Sequence, residues 1–105
     1  MATTQTMQKP DYVGLLNTIS LAESEAGIYL EAWANATRDE ELAETLRLVA
    51  MRESHHGQAF CRRLSEIGFP LIEKPIPGSA ERLTRYANPK ISDCEKVGPE
   101  RESNG

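Results

Sequence analysis

At 105 residues the chain has the length of one domain. Its net charge of −4 excludes a general nucleic-acid binder, and no apolar run approaches membrane-spanning length. Cys61 and Cys94 stand in no metal-type spacing and no apolar leader segment precedes the fold, so a reducing cytoplasmic setting is the expectation.

Residues 1–9 are polar and aperiodic and are expected to be flexible. Pro10 suits the first turn of a helix and Asp11 complements its dipole, which predicts a first helix from Pro10 to Ala36. Leu16, Ile19, Ala26, Leu30 and Trp33 form its apolar stripe, and the same spacing places Glu23 inside that stripe. Gly14 and Gly27 weaken the helix by about 1 kcal/mol each against Ala, but a helical glycine also lets a neighbour approach closely. No basic residue lies between Lys9 and Arg38, while Asp11, Glu23, Glu25 and Glu31 all do. Such a helix attracts cations or presents a solvated acidic face, and the second description suits Glu31 better than Glu23.

Thr37-Arg38-Asp39-Glu40 predicts a capping box that starts a second helix near Arg38. Gly68 ends that helix, with Pro70 just beyond. Leu42, Leu46, Val49, Phe60 and Ile67 predict its buried stripe, interrupted by Glu53 and His56. A carboxylate on a buried face is costly unless it is paired, protonated or bound to a metal. Glu and His three residues apart can reach one ion, whereas His55 points about 100° away and is expected at the surface or in support of a ligand. The short connection makes the two helices antiparallel. At 1.5 Å per residue, Glu23 and Glu53 then stand roughly 20 Å and 24 Å from the turn, at matching heights.

Beyond Gly68, residues 69–77 are extended, with Leu71, Ile72 and Ile76 expected to pack across the hairpin. Ser79 is expected to cap a short third helix, Ala80 to Ala87, which Asn88-Pro89 stops. The folded part is therefore expected to be 10–87 and residues 88–105 a flexible tail. No internal repeat, Gly-rich phosphate loop, nucleophile elbow or basic-aromatic stripe is evident.

Glu23, Glu53 and His56 are half of a familiar set. Di-metal carboxylate bundles use a Glu from each of two helices and Glu-x-x-His from each of two others. Two copies of the hairpin about a two-fold axis complete that set and bury the apolar stripes, which a small two-helix core needs. The expected fold is therefore all-α: an antiparallel two-helix hairpin with a short C-terminal helix, dimerising into a four-helix bundle. One nitrogen among carboxylates favours Fe or Mn over a thiolate-type zinc site. Open coordination positions would admit dioxygen or peroxide. The alternative is a non-catalytic homodimerisation or metal-binding module in which the Glu/His network sets helix register. Tyr29 and Trp33 are expected to pack.

The spacing Glu23…Glu53-x-x-His56, the Asp39-Glu40-Glu41-Leu42 opening and the Ala80-Glu81-Arg82-Leu83…Tyr86 segment resemble the encapsulated ferritins, half-size members of the ferritin-like superfamily. The resemblance covers roughly Leu15 to Tyr86. It implies a homodimer and rings of dimers such as decamers. It also implies a di-iron ferroxidase site between subunits, with Mn or Zn as substitute metals, that oxidises Fe(II) for storage inside an encapsulin shell. It carries the iron-ligand role onto Glu23, Glu53 and His56 and a metal-entry role onto Glu25. Departures from the family pattern are Ala22 at a position that is acidic in the family, Tyr29 in place of Trp, a longer link from Gly68 to Gly78, and no small-apolar shell-targeting tail.

Overall fold

The computed structural model describes residues 11–97. The expected flexible N-terminus 1–9, the first-turn Pro10 and the end of the expected tail, 98–105, lie outside the described residues. The described fold is all-α. Helix α1 spans Val13–Ala36, α2 Glu40–Glu66 and α3 Ser79–Ala87, and a last helical turn covers 93–97. Among the described residues no helix is long and apolar enough to cross a membrane.

The turn between α1 and α2 is built by side chains. Asp39, not Thr37, is the N-cap: its carboxylate accepts from the Leu42 N–H at 3.1 Å. Thr37 stands outside the helix, where its hydroxyl oxygen accepts from the Asp39 N–H at 3.2 Å. The expected capping box therefore does not form and α2 starts at Glu40. Glu40 and Glu41 still occupy the positive first turn. The other end follows the expectation. Gly68 takes φ 90°, its N–H donates to Ser65 O at 3.0 Å, and the Phe69 N–H donates to Leu64 O at 2.9 Å. This six-to-one, five-to-two pair is a Schellman stop, which needs a left-handed residue and so favours glycine.

The line of contact between α1 and α2 is made of small residues. Ser20, Gly27 and Ala34 are buried on α1, and Ala43, Ala50 and Gly57 on α2, each set at a step of seven. A Cβ on Gly27 would lie 3.1 Å from the Ala50 carbonyl oxygen, and one on Gly57 would lie 3.0 Å from Ser24 N and 3.1 Å from Ser20 O. The backbones thus meet almost directly. Gly14, by contrast, has nothing within 4 Å of where its Cβ would be. The stripe of larger apolar residues expected to be buried lies to one side of this line. Leu46 is buried, but Leu42, Val49, Phe60 and Ile67 on α2, and Leu16, Ile19, Ala26 and Leu30 on α1, are only half covered. The reason is steric: helices close to backbone contact along glycine, alanine and serine, which pushes bulkier neighbours to the edge.

The rest of the chain wraps α1. Asn17 grips the linker through a paired contact: its amide donates to Ile72 O at 2.9 Å and accepts from Ile72 N–H at 2.7 Å. Helix α3 then lies along α1, with the Tyr86 ring 5.9 Å from Tyr29 and 5.5 Å from Trp33. Its N-cap is Gly78, at φ 77°, rather than Ser79. The Ser79 hydroxyl is used elsewhere, on Glu25 and Tyr29. Residues 88–97, expected to begin a flexible tail, continue the packing. Asp93 accepts from Trp33 Nε1–H and from the Thr37 hydroxyl, both at 2.8 Å, and Lys96 is buried.

Candidate metal centre

With α2, the linker and α3 placed, one long edge of the hairpin is only half covered by the described residues. It carries Leu16, Ile19 and Leu30 from α1 and Leu42, Val49 and Phe60 from α2, all half buried. At its middle stand Glu23, Glu53 and His56.

A carboxylate oxygen of Glu23, one of Glu53 and a ring nitrogen of His56 all lie within 4.8 Å of one another. The carboxylates are half buried and His56 is exposed, less buried than the stripe pattern predicts. Glu53 and His56 share one face of α2 one turn apart, and Glu23 reaches them from the facing helix. The tight crossing sets that reach. Gly57, next to His56, abuts the α1 backbone, and its carbonyl oxygen accepts from the Ser20 hydroxyl at 2.8 Å.

The electrostatics are unbalanced. Two carboxylates that meet this closely repel one another, less where water screens them. No ion pair of the described residues relieves this: Arg47 meets Glu31, Arg63 meets Glu66 and Arg82 meets Glu25. A cation resolves the repulsion. Two oxygens and one imidazole nitrogen suit Fe(II), Mn(II) or Zn(II), and no thiol joins the cluster. The centre sits on an open edge and not in a cleft, so a ligand set built from one chain leaves one side of any bound ion facing outward.

The three predicted ligands are brought together. Glu25 is not with them. Two residues on, it points about 200° round the helix and docks α3, accepting from the Ser79 hydroxyl and pairing with Arg82 at 3.5 Å. Burial raises its pKa, but the Ser79 and Tyr29 hydroxyls and the Arg82 guanidinium outweigh that and hold it below the usual glutamate value. Glu31 forms an exposed pair with Arg47 at 3.8 Å, and His55 is exposed. Tyr29 and Trp33 pack against α3, as expected. Ser20 and Gly57 are the residues that sequence reasoning missed. A glycine inside a long helix beside a candidate ligand is the signal that could have found them, since it costs stability unless a close approach requires it. Scans against protein-family models, curated proteins and solved structures find no match to this chain.

Proposed function

We propose that the chain is a ferroxidase of the half-ferritin type: it takes up Fe(II) at Glu23, Glu53 and His56, oxidises it with dioxygen or peroxide, and releases Fe(III) for storage. The observation that carries this reading is the meeting of two carboxylates and an imidazole within 4.8 Å, with no basic side chain paired to them among the described residues. Iron is the substrate here. The carboxylates favour Fe(III) over Fe(II), since they gain more from the higher charge, and His56 adds a nitrogen donor. Two Fe(II) ions give up one electron each. Together, and with two protons in either case, they reduce one dioxygen to hydrogen peroxide or one hydrogen peroxide to two waters.

The half-covered apolar edge around the triad supports completion by a second copy. Two hairpins about a two-fold axis would bury that edge and assemble four glutamates and two histidines round a pair of irons. The rings of dimers and the encapsulin shell come from the family resemblance alone. The register-network alternative needs hydrogen bonds among the three side chains, and the bonds of the described residues fall elsewhere, as at Ser20 and Asn17.

Native mass spectrometry of the aerobically purified protein, before and after Fe(II) addition, tests the reading. About one iron per chain, held in a dimer or larger ring and lost in Glu53→Ala, is the expected result. In stopped-flow oxidation, Glu53→Ala and His56→Ala should each abolish turnover while helix content stays largely intact. Unchanged Fe(II) oxidation in both variants would sink the assignment.

A further inference from the structure

The two long helices carry the same short device. Glu23-Ser24-x-x-Gly27 on α1 and Glu53-Ser54-x-x-Gly57 on α2 match at an offset of 30 residues, a correspondence too brief to register as a repeat in the sequence alone. The contacts obey the same offset. Gly27 abuts Ala50 O at 3.1 Å and the Ser54 side chain, and Gly57 abuts Ser20 O at 3.1 Å and the Ser24 side chain. Adding 30 to each α1 number and subtracting 30 from each α2 number turns one set of contacts into the other. In an antiparallel hairpin this is a local two-fold axis, perpendicular to the helices and passing close to Glu23 and Glu53.

The axis equates His56 with Ala26, three residues after each glutamate. An ion held between the two carboxylates would thus have an imidazole on one flank and, by this correspondence, a methyl group on the other. We propose, building on the metal-site reading above, that Ala26 keeps the symmetry-related coordination position open, and that a small exogenous ligand binds there: water first, then dioxygen or peroxide. Ala26 is a specificity-determining residue on this account, because its short side chain leaves room without supplying a donor.

Co(II), whose visible spectrum reports coordination number, and azide, as a small anionic ligand, test this in the full-length protein. His56→Ala should weaken Co(II) binding by at least about tenfold. Adding Ala26→His to that variant should restore most of the loss, since the axis makes the two positions equivalent. Azide should change the Co(II) spectrum of the native protein but not of Ala26→His. Ala26→Leu, which fills the position without a donor, should bind Co(II) and lose the azide response, and it serves if the histidine variant folds poorly. A double variant no better than His56→Ala, or an azide response unchanged in Ala26→His or Ala26→Leu, overturns the role of Ala26 and leaves the metal site standing. Native protein that binds no Co(II) overturns the metal-site reading and the open position with it.

Discussion

The two sides of α1 treat a carboxylate in opposite ways. Towards α3, Glu25 is surrounded by donors: Ser79, Arg82 and the Tyr29 hydroxyl all favour its charge, and its side chain is only 17% exposed. On the half-covered edge, Glu23 faces a second carboxylate and an imidazole, with no guanidinium or ammonium of the described residues paired to it. The first arrangement is complete and holds a short helix in place. The second has no guanidinium or ammonium partner among the described residues, and that deficit makes it a candidate for cation chemistry. The difference teaches that an acidic helix has to be sorted by what meets each residue, because the count of acids alone does not separate the two roles.

The largest expected effect comes from exchanging the two neutralisations. Glu23→Gln should lower Fe(II) oxidation by at least about tenfold, or about 1.4 kcal/mol of barrier. It should leave apo stability equal or slightly higher, because a like-charge repulsion is removed. Glu25→Gln should do the reverse: oxidation within about twofold of native, and stability reduced by about 1 kcal/mol through the weakened charge-assisted contacts. Stopped-flow kinetics and urea denaturation read both quantities. Equal effects of the two substitutions on turnover would erase the distinction.

A second test uses the crossing itself. Gly57→Ala must displace backbone atoms of α1, a cost of about 1–3 kcal/mol against about 1 kcal/mol gained in helix propensity, so a net loss of stability and weaker metal binding are expected. Gly14→Ala meets nothing within 4 Å and should stabilise by about 0.5–1 kcal/mol. Thermal unfolding that moves the same way for both would remove the close approach from the account.

The smallest effect is acid sensitivity at the far end of α1. The Trp33 indole N–H bond lowers the Asp93 pKa most; burial opposes it, and Thr37 and the charge of Lys96 lower it further. The folded value is therefore depressed. The contribution to stability is fully present above the ordinary aspartate pKa of about 3.9 and is lost as pH falls through the lower folded value. Trp33 is the single tryptophan, so its emission should change below about pH 4 and lose that step in Asp93→Ala. A transition at or above the ordinary aspartate value would contradict the depressed pKa.

Much of the hairpin and its candidate site was legible before the structure. The Gly68 stop, the α1 end at Ala36 and the equal heights of Glu23 and Glu53 follow from local rules: a left-handed residue, a short turn and 1.5 Å per residue. The three candidate ligands stand out in the sequence because polar residues interrupt an apolar period. What was not legible involved choices between partners. Large apolar residues carry the periodicity, but Gly27, Ala50 and Gly57 set the line of contact, because backbone proximity is a property of two helices at once. Asp39 took the cap because Thr37 was drawn to Asp93, 56 positions away, and Ser79 gave up its cap to Glu25. Such exchanges depend on tertiary neighbours that local spacing does not encode.

The Asn17 clasp on Ile72 gives the linker a property that its lack of regular structure conceals. Because the Ile72 amide is bonded to a side chain anchored in α1, its proton exchanges with solvent only when that clasp opens. In deuterium-exchange experiments Ile72 should therefore behave as a slow clock within a fast segment, timing the release of the wrap around α1 separately from the melting of either long helix.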